Sequence, residues 1–250
     1  MRFDIYAISD VGCIRTNNED MILVGDELLR DGAKKYELDL KNEEHPFLIA
    51  VADGMGGHRG GAFASEIVLT EMSKAIRELK PNMKVAELRL SLKAKIACVH
   101  AKLNYEGATN PDRAGMGSTF IGLLVYGRSI FYINIGDSRI YRFREGMLSQ
   151  FSRDHSLMAM TNDPDAPKNV LVNSFGAGAD IFFDFEDISG RIITGDSLIL
   201  CSDGLTTELS DHEMESILSQ SSDPELLVEA AKNRDGLDNI SVVVVKYAKE

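Results

Sequence analysis

The sequence predicts an α+β fold built on antiparallel sheet, and two observations carry that prediction. Short apolar runs rich in Ile, Val, Leu and Phe recur at 2–8, 20–24, 47–52, 118–126, 129–136, 139–143, 181–185, 197–201 and 240–247, with the length and composition of strands. Between the third and fourth runs the period changes to that of a helix. Strands, two long helices, many strands, two short helices and a last strand form a segregated order, whereas a doubly wound parallel fold would alternate strand with helix.

The first long helix rests on Ala64, Ile67, Val68, Met72, Ala75, Ile76 and Leu79, and the second, after Pro81, on Val85, Leu88, Leu92, Ile96, Val99 and Leu103. Ser210-Asp-His-Glu opens a short helix as a capping box, and Asp223-Pro-Glu-Leu opens another with Pro in its first turn. The polar stretch 152–169, with Asp154, Asn162, Asp163, Pro164, Asp165 and Pro167, reads as one irregular surface loop. No repeat or Pro/Ser linker interrupts the chain, so residues 1–250 are expected to form a single domain.

At 250 residues the chain is long enough to bury a large core without disulfides or structural zinc. Asp and Glu number 39 against 27 Lys and Arg, a net charge of −12, which repels phosphate backbones and anionic lipid and excludes nucleic acid and membrane as partners. The opening MRFDIYAISD lacks the blocks of a signal peptide and no apolar run reaches a membrane-spanning length, so a cytoplasmic location is expected. Cys13, Cys98 and Cys201 have no metal-ligand spacing and are expected to be free thiols, mostly buried.

Several motifs fail on inspection. In GMGGHRGG at 54–61 the third glycine of a dinucleotide fingerprint falls on Arg59, and no Gly-Lys-Ser/Thr follows. Gly136-Asp-Ser-Arg-Ile lacks the final glycine of a nucleophile elbow, which argues against Ser138 as a nucleophile. The five histidines are too scattered for a zinc site.

What remains is aspartate at the ends of buried runs: Asp53-Gly54 after 47–52, Asp203-Gly204 after 197–202, and Asp238-Asn239 before 240–245. These read either as turns or as carboxylates converging on one sheet edge, where they repel unless cations sit among them. Carboxylates with a glycine carbonyl suit Mg or Mn. In Arg15-Thr-Asn-Asn-Glu19-Asp20 the guanidinium could capture phosphate and the two acids could hold metal-bound water; the alternative is a solvated charged loop.

Taken together the segments SDVGCIRTNNED (9–20), VADGMGGHRGG (51–61), GMGSTF (115–120), NIGDSRIYRFREG (134–146), SRDHSL (152–157), ILCSDGLT (199–206) and DNISVVVV (238–245) resemble, in order, the motifs of the protein phosphatase 2C family of metal-dependent protein phosphatases, in its compact bacterial form. The resemblance implies a four-layer α-β-β-α sandwich of two antiparallel sheets flanked by helices, and a phosphoserine/phosphothreonine phosphatase with two Mn or Mg ions. It implies that Asp53 bridges the ions, the Gly54 carbonyl binds one, Asp203 and Asp238 hold the other, Glu19 and Asp20 anchor metal-bound waters, and Arg15 holds the substrate phosphate. It implies phosphorylated proteins as substrates and an opposing bacterial-type Ser/Thr kinase, and nothing in the sequence requires more than a monomer. Three departures stand out: Met55 replaces the histidine of animal members, with His58 displaced by three residues; Ala114 replaces an aspartate that binds a third ion, so a normal third site is not expected; and the flap at about 152–169 is shortened. The rival reading is a pseudophosphatase that binds a partner without turnover.

Overall fold

The computed structural model describes residues 1–40, 45–56, 60–161, 163, 165–167 and 170–248. In chain order its strands and helices are β1 (Arg2–Asp10), β2 (Met21–Val24), β3 (Glu27–Leu29), β4 (Gly32–Asp39), β5 (Phe47–Ala52), β6 (Gly54–Met55), α1 (Gly60–Arg77), α2 (Val85–Thr109), β7 (Gly117–Ser118), β8 (Phe120–Tyr126), β9 (Ser129–Ile135), β10 (Arg139–Arg144) and β11 (Met147–Gln150). They continue with α3 (Leu157–Thr161), β12 (Asp184–Asp187), β13 (Ser197–Cys201), α4 (Asp203–Glu208), α5 (Asp211–Gln220), α6 (Pro224–Arg234) and β14 (Ile240–Ala248).

Two six-stranded antiparallel sheets carry the fold, ordered β11-β10-β13-β14-β1-β4 and β12-β9-β8-β5-β2-β3, with β6 and β7 forming a small third ladder. The central strands are continuously apolar because both faces are covered. In β5, Ile49 and Val51 point into the core between the sheets, while Leu48, Ala50 and Ala52 join the core beneath α1 and α2. In β14, Val243, Val245 and Tyr247 enter the inter-sheet core, and Ile240, Val242 and Val244 meet Leu205, Met214, Leu227 and Val228 of α4, α5 and α6. Three apolar layers between four layers of structure make the expected α-β-β-α sandwich.

The long helices follow the predicted spacing: Val68, Met72 and Ile76 of α1 and Leu92, Ile96 and Leu103 of α2 are buried on the same core. Ser210 caps α5 in a reciprocal pair with Glu213, and Asp223 caps α6 ahead of Pro224. The exposed, charge-rich β4 and the short edge strand β11 escape sequence reading because they have little apolar period to reveal them.

Three expectations need correction. The run 181–185 enters a sheet only from Asp184, because the Asn173 side chain takes the backbone of Phe182, accepting from its N–H at 3.3 Å and donating to its carbonyl at 2.8 Å. The stretch 152–169 is not wholly irregular, since it contains α3. Of the cysteines only Cys201 is buried; Cys13 lies in an exposed loop and Cys98 on the solvent side of α2. No helix among the described residues is long and apolar enough to cross a membrane.

Candidate active site

Antiparallel pairing brings the acidic residues to one end of the sandwich. Cys201 at the end of β13 faces Val242 near the start of β14, which sets Asp203 beside Asp238. In the other sheet Ala52, at the end of β5, faces Met21, at the start of β2, which sets Asp53 beside the Glu19-Asp20 segment. Asp53 is anchored through its backbone: its N–H donates to Thr119 Oγ1 at 3.0 Å, and its carbonyl accepts from the Thr119 N–H at 2.9 Å.

Arg15, Glu19, Asp53, Gly54, Asp203 and Asp238 line one cavity of about 280 Å³, together with Met55, Gly56, Thr119, Asp137 and Leu171. A larger depression, of about 650 Å³, lies at the other end of β8 around Tyr126, but the carboxylates gather only in the smaller one. Asp20 stands behind the cavity, 1% exposed, where Ser202 Oγ donates to its Oδ2 at 2.7 Å. Glu19 lies against the first turn of α1, since a Cβ on Gly61 would fall 2.4 Å from its Oε2, and a helix N-terminus favours a carboxylate there. Gly54 admits no side chain: a Cβ would meet the Gly61 carbonyl oxygen at 2.1 Å and that of Glu19 at 2.6 Å.

Burial and mutual repulsion make Asp20, Asp53, Asp137 and Asp203 resist ionisation. Burial, followed by the charges of Asp20, Asp203 and Asp137, pushes Asp53 well above the carboxylate range. Asp20 rises to about 7, chiefly through burial, although the Ser202 and Ser241 hydroxyls oppose the shift. Asp137 also rises to about 7, through burial and then through Asp203 and Asp154. Asp203 moves upward for the same first reason. Arg15 is the cation on the rim, its Nη2 donating to Asp238 Oδ2 at 2.7 Å.

The donor set fits hard divalent cations: buried oxygen ligands with excess negative charge, beside a backbone carbonyl that no side chain screens. Among the described residues no three His, Cys, Asp or Glu side chains close on a single point as a ready-made cage. Acids spread along a cavity suit ions that complete their coordination with water and substrate oxygen rather than an all-protein cage.

Sequence reading missed Asp137. It follows the end of β9 as Asp53 follows β5, a signal that was available in the Gly136-Asp-Ser segment dismissed as a failed elbow. Ser138 is fully buried, with its Oγ 2.7 Å from Thr119 Oγ1, which agrees with its dismissal as a nucleophile. Ala114 is exposed, the Asp112 N–H donates to Asn110 Oδ1 at 3.1 Å, and neither residue lines the cavity. His58 lies outside the described residues, as do Asn162, Pro164, Lys168 and Asn169 of the flap region.

The sequence profile described as Protein phosphatase 2C matches residues 37–233. The chain belongs to the protein phosphatase 2C family. Its relatives in that family include the serine/threonine phosphatase stp of Listeria monocytogenes, 31% identical over 82% of this chain and 86% of its own length. Protein phosphatase PhpP of Streptococcus pneumoniae is 33% identical over 99% of this chain and 98% of its own. That second similarity spans the Arg15 loop and Asp238, which the 2C profile leaves out. Among solved structures, the S. agalactiae serine/threonine phosphatase superposes with a TM-score of 0.83 at 29% identity, covering 98% of this chain and 100% of that one. The catalytic domain of PstP in complex with 2 manganese ions does so with a TM-score of 0.74 at 27% identity over 100% of both chains.

Proposed function

We propose that this protein phosphatase 2C member is a protein serine/threonine phosphatase dependent on two Mn or Mg ions. The observation that carries this reading is the acidic cavity in which residues far apart in sequence, Glu19, Asp53, Asp137, Asp203 and Asp238, meet beside Arg15. The names of the Listeria and Streptococcus relatives and the two manganese ions of PstP support it.

In this reading Asp53 and the Gly54 carbonyl would hold one ion, and Asp203 and Asp238 would hold the other. Ions held there would lower the pKa of a water and offset charge on the phosphoryl oxygens. Glu19 orients water at the cavity wall, while Asp20, screened from solvent, accepts from Ser202 and fixes it next to Asp203. Arg15 takes the phosphate of a phosphoserine or phosphothreonine through charge-assisted hydrogen bonds and aligns it for in-line attack. No side chain forms a phosphoenzyme in this scheme. Among the described lining residues the hydroxyl is Thr119 Oγ1, already bonded to Ser138 and the Asp53 amide.

We further read the chain as a single catalytic domain with a shortened flap at about 152–169, acting as a cytoplasmic monomer on phosphoproteins against a Ser/Thr kinase. The test is hydrolysis of a phosphothreonine peptide by the purified chain with manganese, with and without chelator. Turnover that chelator abolishes supports the reading; turnover indifferent to chelator, or none with either metal, overturns it.

A further inference from the structure

Asn239 is 4% exposed, and its side chain makes three hydrogen bonds to the loop that carries Arg15 and Glu19. Nδ2 donates to the Val11 carbonyl at 2.9 Å and to the Asn17 carbonyl at 3.0 Å, clamping the two ends of the arc that holds Arg15. Oδ1 accepts from the Glu19 N–H at 2.8 Å. The Asn239 backbone is fixed independently. Its N–H donates to Asp238 Oδ1 at 2.8 Å, and its carbonyl is pressed on Gly204, where a Cβ would approach to 2.0 Å. Gly12, at φ +79°, lets the arc lie flat on Asp238, since a Cβ there would come within 2.2 Å of the Asp238 carbonyl oxygen.

One amide thus ties the Asp203-Gly204 turn and the start of β14 to a loop more than 200 residues away in sequence, where the charged groups of the cavity rim are found. Only an amide meets this demand, because the site faces its side chain with two carbonyls and one N–H. We infer that Asn239 is a positioning residue of the reaction: it touches neither substrate nor metal but holds Arg15 over the cavity through one half of its amide and the Glu19 backbone through the other. The inference rests on the phosphatase reading for its consequence and on geometry alone for the clamp.

Asn239→Asp separates the two halves. It keeps an oxygen for the Glu19 N–H but turns a carboxylate towards the Val11 and Asn17 carbonyls, so the Arg15 arc alone is released; Asn239→Ala releases both. In hydrogen exchange on the full chain, amides 12–17 should exchange at least about tenfold faster in both variants, and the Glu19 amide faster in the alanine variant only, with β14 amides 242–246 unchanged. With manganese and a phosphothreonine peptide, Asn239→Asp should raise KM about tenfold with kcat within about threefold, the factor that about 1.4 kcal/mol of lost phosphate contact gives. Combined with Arg15→Ala, it should add no further increase in KM, because the group it positions is already gone.

Fully multiplicative effects in that double variant, unchanged exchange in the arc, or equal acceleration in β14 would each overturn the inference. So would failure of both variants to fold, which would make Asn239 a residue of the framework. If the wild-type chain turns over no phosphopeptide, the phosphatase reading falls, while the exchange result still decides whether the clamp exists.

Discussion

Arg15 and Asp238 meet at 2.7 Å across the mouth of the acidic cavity, joining the loop after β1 to the residue that opens the approach to β14. Both side chains are about half exposed, at 52% and 41%, so the pair adds little stability and its significance lies in aim. The guanidinium is held where a phosphate monoester entering the cavity would meet it.

Replacing Arg15 by Ala should therefore weaken substrate binding more than it slows the chemical step. Hydrogen bonds to charged groups are worth about 1.5–3 kcal/mol, so KM for a phosphopeptide should rise by about 10- to 100-fold. Steady-state kinetics with manganese checks this, and an unchanged KM together with an unchanged kcat would remove Arg15 from its role.

Asp203→Asn preserves shape and deletes the charge of a residue proposed above as a metal ligand. Loss of groups that merely support metal ligands lowers affinity or activity about 10- to 100-fold, so loss of the ligand itself should reduce turnover by at least about 100-fold. Calorimetric titration with manganese should show weakened binding in a variant whose circular dichroism matches wild type.

Asp137→Asn should move activity and stability in opposite directions. Burial and the neighbouring Asp203 and Asp154 charges hold its carboxyl at about 7, so an amide relieves repulsion in the metal-free protein. We expect a melting temperature in chelator at or above wild type, with kcat in manganese reduced by about tenfold, the sacrifice of stability for function common at active sites.

Manganese should stabilise the whole chain. A cation that binds the folded state only adds about 2.7 kcal/mol at 100 times its dissociation constant. Thermal melts at rising manganese should climb accordingly, and Asp53→Asn should flatten the climb.

Far from the site, Asp196 is 1% exposed, and Arg144 grips it through Nε and Nη2, each at 2.6 Å, while the Ile193 N–H donates to it at 2.8 Å. Burial alone would raise the Asp196 carboxyl, but these donors hold it below its usual range. A lowered folded-state pKa means stability that is present above the unfolded carboxylate value of 3.8 and is lost as pH falls through the lower folded value. A double-mutant cycle of Arg144→Ala and Asp196→Asn, read by urea unfolding, should show favourable coupling at pH 7 that fades only below pH 3.8.

The sandwich was legible because its central strands are apolar on both faces and its two long helices keep strict spacing, as in β5, β14 and α1. Edge strands such as β4 were not, since a strand with one neighbour and solvent on its face has no period to display. Within the site, Asp53, Asp203 and Asp238 could be found because each sits at the end of an apolar run. Asp137 sits in the same way, but the serine beside it suggested a different chemistry and diverted the reading. The arc around Arg15 carries charge without pattern. What fixes it is an asparagine more than 200 residues downstream, and contacts of that range leave no local trace.

Strand β1 finds its nine-residue partner only in β14, with Arg2 opposite Ala248 and Asp10 opposite Ile240. During synthesis β1 must therefore wait, half-paired with β4, for more than 200 further residues to emerge. Pairings of such long range are slow to close and leave sheet edges open meanwhile. The same delay governs the acidic cavity: Asp238 and Asn239 arrive with β14, so its lining is complete only once that strand has paired.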